Sequence, residues 1–390
     1  MNEAYIVAAV RTAAGRRGGR LKDWHPVDLA ASVINALLDR SKADPAMIDD
    51  VIMGCVGQVG EQSTNVGRNA VIASRLPETV PGTSVDRQCG SSQQALHFAA
   101  QAVMSGTMDV VIAAGVESMS RVPMGLSQTL PKANGYGRYM SPRMQVRYPE
   151  VVFNQFQSAE GIGRKHNLTK EDFDQFGLES QMKAATATKN GWFEAEILPL
   201  EITLPDGSRD MHKIDEGIRF DVSLEAIRNV KPIVEGGTLT AATSSQMSDA
   251  AAGLMVVNER GLKMLGVKPL ARVHHMSVMG GDPVVMLDVP LAATNRALAR
   301  AGMKIGDIDL YEVNEAFAPI PIAWLRHTGA DPSKLNVHGG AIALGHPLGS
   351  SGAKLMTTLI HALQRNGKRF GLQTMCEGGG LANVTIIERL

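Results

Sequence analysis

The sequence predicts an α/β fold built from two similar halves, and three observations carry that expectation. Apolar strand-like runs alternate with segments of helical period, which implies a parallel sheet with helical crossovers. The order of these segments returns toward the C-terminus at an almost constant offset. Gly numbers 40 while aromatics are only 4%, a balance suited to many tight strand–helix turns. At 390 residues the chain is too long for one simple core, so two or three structural units are expected.

The elements follow in order. "AYIVAAVRT" reads as a buried strand. "PVDLAASVINALLDRS" places Leu29, Val33, Leu37 and Leu38 at helical spacing. "MIDDVIMGCV" reads as a strand, and "NVGRNAVIASRL" as a helix with Asn65 as its N-cap. "TVPGTSVD" is a short strand leading to Cys89. A helix then runs to about Ser105, and "DVVIAAG" is the next strand.

The second half repeats this order. "PLAATNRALARAGMKIGDIDLYEVNEAFA" lies on "DLAASVINALLDRSKADPAMIDDVIMGCV", with Ala30 and Ala292 262 positions apart and Asp50 and Asp309 259 apart. "GHPLGSSGAKLMTTLIHAL" lies opposite "QCGSSQQALHFAAQAV", which sets His346 257 positions after Cys89. "RFGLQTMCEGGG" lies opposite "DVVIAAGVES". Several matches at nearly one offset outweigh any single one. The halves are read as a pseudo-dimer.

Between them lies a segment richer in polar residues, Gly and Pro. Its clearest helix is "TKEDFDQFGLESQMKAATATKNG", opened by Thr169 with Asp172 in a capping-box arrangement and closed by Gly191. An insertion of this length in a compact domain usually carries binding function. The apolar "SDAAAGLMVVNERGLKML" is read as a helix by which the chain re-enters the first half. The expected organisation is an N-terminal half over 1–117 continued by 248–268, a loop domain over 118–247, and a C-terminal half over 269–390.

Composition excludes several classes. Lys+Arg and Asp+Glu are both 39, so charge offers nothing to nucleic acid. The cysteines Cys55, Cys89 and Cys376 form no disulfide framework and lack metal-ligand spacing, so no metal is expected. A reducing, cytoplasmic setting fits them. "MNEAYIVAAVRTAAGRR" is a poor signal peptide, and "IIERL" carries no recognisable address. No apolar run is long enough to span a bilayer.

Four stretches bring reactive side chains to strand ends or helix starts: "QCGSS" with Cys89, "VNEAFA" with Asn314, "GHPLGSSG" with His346, and "MCEGGG" with Cys376. In open α/β sheets, sites form at the carboxyl ends of strands. A thiol at a helix mouth is expected to have a lowered pKa. Histidine is the base suited to a thiol at neutral pH. The Gly cluster after Cys376 lets backbone N–H groups approach a substrate, as an oxyanion hole requires.

Each residue alone also has a structural reading. A free cysteine is more often a small buried hydrophobe, a histidine in "GHP" a turn residue, and an asparagine a turn stabiliser. Their joint placement at repeat-related positions favours function. Cys55 and His97 read as structural. His274 and His275, adjacent on a strand, cannot both face one site. Met279 and Met286 read as core, with an acyl pocket the other option.

"CGSS", "NEAFA", "GGAIALGHPLGSSG" and the "CxGGG" pattern resemble the four catalytic loops of the thiolase family, in order and over essentially the whole chain. The resemblance implies a five-layered αβαβα fold of two similar halves with mixed sheets plus an inserted loop domain. It implies an acyltransferase acting through an acyl-cysteine: a 3-ketoacyl-CoA thiolase, or alternatively a biosynthetic acetoacetyl-CoA thiolase. A ketoacyl synthase is disfavoured because decarboxylation needs no second thiol. A non-catalytic acyl-CoA or lipid-binding relative would have lost these residues. The resemblance makes Cys89 the acylated nucleophile and His346 its base. Asn314 is the holder of the oxyanion-hole water, and Cys376 the thiol that moves the α-proton. The N–H groups of Cys89 and Gly378 form a second oxyanion hole. Arg219, Ser245, Ala316 and Phe317 match positions that contact CoA, which enters as a substrate, with no tightly bound cofactor. It also implies a homo-oligomer, dimer or tetramer. Glu377 stands where a small or apolar residue is expected, and His338 where Asn is common. "VFNQFQSAEGIG" replaces a Met-containing stretch of short-chain members, which points to bulkier acyl groups, including those of steroid side chains.

Overall fold

The computed structural model describes residues 2–390. The first part of the chain forms β1 (Tyr5–Thr12), β2 (Gly15–Arg16), α1 (Pro26–Ser41), β3 (Asp50–Gly54), α2 (Val66–Ala73), β4 (Gly82–Val85), α3 (Ser91–Ser105) and β5 (Val110–Ser118). A long excursion follows. It contains α4 (Leu126–Ala133), α5 (Pro142–Arg147), α6 (Gln155–Lys165), α7 (Lys170–Lys189), β6 (Ile197–Leu198), β7 (Leu200–Thr203), β8 (Arg209–His212) and α8 (Leu224–Arg228). The chain returns as β9 (Ser248–Val257) and α9 (Glu259–Leu265). The last part holds β10 (Ala271–Gly280), α10 (Val289–Ala301), β11 (Leu310–Val313), α11 (Pro319–Thr328), α12 (Ala341–Leu344), α13 (Ser351–Arg365), β12 (Phe370–Glu377) and β13 (Leu381–Arg389).

The main strands lie in the order β11-β12-β13-β10-β1-β9-β5-β3-β4. The halves join where β1 meets β10 antiparallel, Tyr5 opposite Arg272. Registers repeat between the halves. Asp50 pairs with Val111 and Leu310 with Gly371, each residue of the second pair lying 260 positions after its counterpart. α3 and α13 begin at Ser91 and Ser351, the same offset of 260.

Alternation along the strands sorts side chains into layers. Val51, Met53, Ile112, Ala114 and Met255 face outward and pack under α1 and α2 with Leu29, Val33, Leu37 and Ala70. Their neighbours Ile52, Val111, Ala113 and Leu254 face inward, against Leu96, Ala99 and Val103 of α3. The same inner layer holds Met356, Leu359 and Leu363 of α13, then Val273 and Ile387 of the second half. Beyond it, Val313, Leu372, Val384 and Ile386 pack under α10 and α11 with Leu291, Ala297, Ile320 and Trp324. The order is helix, sheet, helix, sheet, helix. Burying a leucine-sized side chain stabilises by about 1.5–3 kcal/mol, so the α3–α13 layer, apolar on both faces, is a large term in holding the halves together.

Local signals hold for most elements. Asn65 caps α2 by accepting from the Arg68 N–H, and Thr169 and Asp172 form a reciprocal capping box on α7. One expectation is wrong. Residues 248–257 are a strand, and only Glu259–Leu265 is helical. β9 is buried along its whole length between β1 and β5. A strand buried on both faces loses its alternation and reads like a buried helix. The excursion also holds more helices than α7, several of them short and exposed.

Candidate active site

The turn from β4 into α3 is built to present residue 89. Asp86 Oδ1 accepts from the Gln88 N–H at 2.7 Å. Ser91 Oγ donates to the Gln88 carbonyl at 2.6 Å and accepts from the Arg87 N–H at 2.9 Å. These bonds hold Gln88 at φ 50°, a left-handed conformation that costs a non-glycine residue about 1 kcal/mol or more. Cys89 follows, half-buried, one residue before Gly90 caps α3.

The mouth of α13 abuts this turn. The Ala353 N–H donates to Ser92 Oγ at 2.9 Å. A Cβ on Gly352 would meet Gln93 Cβ at 2.7 Å, so only glycine allows that approach. His346 lies just upstream, tied by its N–H to the Gln246 carbonyl at 2.8 Å. Its ring Nδ1 lies 2.6 Å from Ser351 Oγ. Ser351 Oγ also donates to the Pro347 carbonyl at 2.8 Å. A hydroxyl has one proton, and a carbonyl only accepts. Nδ1 must therefore carry the proton toward Ser351, which leaves a lone pair on Nε2. Asn314 Nδ2 lies 3.4 Å from that Nε2. Burial, then the Lys354 charge, push the His346 pKa down to about 3, so the imidazole is neutral.

Asn314 follows β11, with its N–H on the Thr374 carbonyl of β12 at 3.1 Å. Its Oδ1 and Glu312 Oε2 are buried without partners. Both residues line a cavity of about 10 Å³ beside Ser351 and Lys354, room for about one water molecule.

Cys376 is the last residue but one of β12 and fully buried. Burial, then the proximity of Cys89 and Glu377, hold its pKa well above the ordinary thiol value. Cys89 is pushed up to about 12 by burial first and Glu377 second, while the Gly378 N–H and its own N–H favour the thiolate. The expectation of a lowered pKa is therefore corrected. Desolvation outweighs the helix mouth, and the resting site holds two thiols and a neutral imidazole.

Of the CoA-contact candidates, Ser245 donates its N–H to the Ala316 carbonyl at 3.0 Å, and Ser244 bridges to Phe317. Ala316 and Phe317 are themselves nearly fully buried, and Phe156 of α6 stacks edge-on against Phe317 at 5.5 Å. Arg219 is exposed, its N–H held by Gln181 Oε1 at 2.8 Å. Gln181 also reaches the Gly217 and Ile342 carbonyls, which joins the Arg219 loop to α12.

The expected equivalence of Cys89 and His346 is also corrected. At the offset of 260 that aligns α3 with α13, the counterpart of Cys89 is Gly349. His346 sits three residues earlier, in the loop after α12. Four other supports escaped notice. Ser351 orients His346. Lys354 donates to the Leu344 and Gly345 carbonyls that lead to it. Glu315 accepts from Ser180 Oγ, Asn336 Nδ2 and the Ile342 N–H, which staples α7 to α12. Glu117 accepts from the N–H groups of Val56, Gly57 and Gly349 and from Gln62 Nε2. Ser351 was within reach of the sequence, as the first helical residue after "GHPLGS"; Glu315 and Glu117 answer partners distant in sequence.

Cys55 is buried core, and His97 bonds Thr385 Oγ1 at 2.7 Å. His274 lies against Phe370, at a register shift of β10. His338 packs against Trp192 and Phe193. Met286 is core, with Met279 packed beside it. Among the described residues no cluster of three or more metal-ligating side chains occurs, and no helix is long and apolar enough to cross a membrane.

Comparison with known proteins agrees with this geometry. Residues 4–260 match the family model "Thiolase, N-terminal domain", and 267–389 match "Thiolase, C-terminal domain". A steroid 3-ketoacyl-CoA thiolase of Mycobacterium tuberculosis is 50% identical over 392 residues, covering 100% of this chain and 95% of that protein. A 3-ketoacyl-CoA thiolase of Pseudoalteromonas translucida is 40% identical, with 100% of both chains covered. The solved structure of human mitochondrial 3-ketoacyl-CoA thiolase superposes with a TM-score of 0.90 at 33% identity, covering 100% of this chain and 99% of that one. An acetyl-CoA acetyltransferase of Bacillus anthracis gives 0.91 at 34% identity, with the same coverage.

Proposed function

The chain belongs to the thiolase family, and from that premise we propose the residue roles by which it cleaves 3-ketoacyl-CoA with CoA. It is an acyltransferase of the 3-ketoacyl-CoA thiolase kind, yielding acetyl-CoA and a shortened acyl-CoA through an acyl-cysteine. The observation that carries the assignment is the hydrogen-bond chain Ser351–His346–Asn314 beside two thiols, Cys89 and Cys376, the second of which is raised by the proximity of the first.

Nε2 of His346 takes the Cys89 proton, and the thiolate attacks the 3-keto carbon. The carbon–carbon bond breaks, and its electron pair stays on the acetyl-CoA α-carbon as an enolate. The proton now on Nε2, with a water held by Asn314, donates to the enolate oxygen. Cys376 protonates the α-carbon and is left as a thiolate. It then takes the proton of the incoming CoA thiol, and the CoA sulfur attacks the acyl-Cys89 and expels the Cys89 thiolate, which regains the proton held on His346 Nε2. The N–H groups of Gly378 and Cys89, already directed at the Cys89 sulfur, stabilise the oxyanion of that step. Each acyl transfer exchanges one thioester for another at similar free energy, which is why a cysteine suits it.

Ser245, Ala316 and Phe317 are assigned to the pantetheine arm and Arg219 to the nucleotide end. Their support is the backbone pairing of the first three and the exposure of Arg219 at the surface. A bulky, ring-bearing acyl group is the substrate class we favour, supported by the relative at 50% identity whose name specifies steroid 3-ketoacyl-CoA. Exposed Tyr136, Tyr139, Val146 and Val152 support assembly as a homo-oligomer, dimer or tetramer. Three free cysteines support a cytoplasmic setting. The test is thiolysis by free CoA across acyl sizes, ring-bearing ones included, with mass analysis of the acylated peptide. An acyl group on Cys89 and faster turnover of ring-bearing substrates are expected. Consumption of malonyl-CoA without CoA-dependent cleavage would overturn the assignment in favour of a decarboxylating synthase.

A further inference from the structure

Glu377 is the pseudo-symmetric counterpart of Glu117. The registers of β5 on β9 and of β12 on β13 place the two at matching strand ends, 260 positions apart, Glu117 opposite Ala250 and Glu377 opposite Leu381. Each reaches across to the helix mouth of the other half. Glu117 bonds the N–H of Gly349 before α13, and Glu377 presses on Gly90 before α3, where a Cβ would lie 2.6 Å from its Cδ. The partners differ. Glu117 has three backbone N–H groups and Gln62. Both oxygens of Glu377 are buried with no hydrogen-bond partner. Val56 and Gly57, which serve Glu117, correspond at the same offset to Ala316 and Phe317, which are turned to Ser245 and Ser244 instead. A bare, buried carboxyl group thus lies against the turn that carries one reactive thiol, next in sequence to the other.

We propose that Glu377 is a positioning residue that governs ionisation of the two thiols: protonated, it permits the Cys89 thiolate; ionised, it suppresses it. A carboxylate within a few ångströms of a thiol disfavours the thiolate, and both thiols are already raised by this neighbour. Burial pushes Glu377 up to about 8, against the opposing pull of the Arg87 charge. Below that pH the group is neutral and its charge no longer opposes the thiolates. Above it, Glu377 loses its proton to solvent and its charge holds both thiols protonated. The groups facing it do not mimic this. In the turn before α3, the facing group is the Arg87 guanidinium. On α3, His97 is held neutral with its pKa down to about 3, by burial first and by Arg87 and His275 of β10 after it. On β13 the neighbour is the neutral Asn383. Asp86, itself raised by burial, is the second carboxyl group that disfavours the Cys89 thiolate, after Glu377.

The inference rests on Cys89 being the acylated thiol, so its test reads that thiol directly. The rate of Cys89 alkylation by iodoacetamide is followed by peptide mass from pH 6.5 to 9.5 in wild type and Glu377→Gln. The ratio of variant to wild-type rate is expected to grow about tenfold across that range, one unit of thiol pKa. A pH-independent ratio overturns the proposal. Arg87→Gln removes the facing cation, so the alkaline break of the wild-type profile is expected to move to higher pH; an unmoved break overturns the proposal even where Glu377→Gln does not fold. Absence of Cys89 from the alkylated or acylated peptides would instead sink the nucleophile assignment.

Discussion

The two helix mouths at the centre of the molecule use one backbone plan for different ends. Before α3, the position next to the cap is Cys89, and a left-handed Gln88 lifts it into the site. Before α13, the same position is Gly349. A Cβ there would meet the Cys55 Cα at 2.6 Å and the Val116 carbonyl at 2.8 Å. That mouth docks the halves, and its reactive histidine is displaced into the preceding loop. The strand ends divide in the same way. Gly54 of β3 corresponds to Asn314, and a side chain at Gly54 would strike the start of α3. Val116 of β5 corresponds to Cys376. At each pair, one half keeps a small or apolar residue that allows close approach, and the other carries a candidate catalytic side chain. A pseudo-twofold frame can hold complementary reactive groups only if its symmetry is broken at these positions.

The largest effect tests the thiol at the first mouth. Cys89→Ala is expected to lower thiolysis kcat/KM by about 10^4-fold or more, measured as CoA-dependent cleavage of 3-ketoacyl-CoA, while CoA binding persists. Near-full activity would end the nucleophile assignment. Cys376→Ala should lower carbon–carbon cleavage by about 10^3-fold yet leave acylation of Cys89 by a simple acyl-CoA detectable by mass. Equal loss of both would erase the distinction between the Cys89 turn and the end of β12.

Ser351→Ala removes the acceptor that holds the proton on Nδ1. A drop in kcat of about ten- to hundredfold is expected with KM little changed, and Ser351→Thr should restore part of it. A change in KM alone would make Ser351 a packing residue. The smallest effect concerns the second mouth. Gly349→Ala should destabilise by about 1–3 kcal/mol in urea unfolding, because Cys55 and Val116 leave no space. A stability unchanged from wild type would mean that the mouth of α13 tolerates a side chain as that of α3 does.

The fold was largely legible because hydrophobic period and turn chemistry are local. Leu29, Val33 and Leu37 mark α1, and Thr169 with Asp172 marks the start of α7. The repeat supplied the long-range pairing that local signals lack. The signals failed where burial erased alternation, at β9, and at His346, which lies three residues before the position equivalent to Cys89, in the loop after α12. Within the candidate site, "QCGSS", "NEAFA", "GHPLGSSG" and "CEGGG" could be singled out directly, because they carry reactive side chains in loops at strand ends or helix starts. Glu117 and Glu315 could not, since each answers groups far away in sequence, such as Gly349 for Glu117 and Ser180 for Glu315.

By itself the sequence determined the family and the two-half plan and singled out four candidate reactive side chains, since these depend on residue type and order along the chain. Tertiary structure decided their chemical state. It put the His346 proton on Nδ1 by spending the Ser351 hydroxyl on Pro347. It raised both thiols by burial against the pull of a helix mouth. It left Glu377 bare while its counterpart Glu117 is fully bonded. Those outcomes follow from desolvation and from which donors reach a site, and neither is a property of neighbouring residues in sequence.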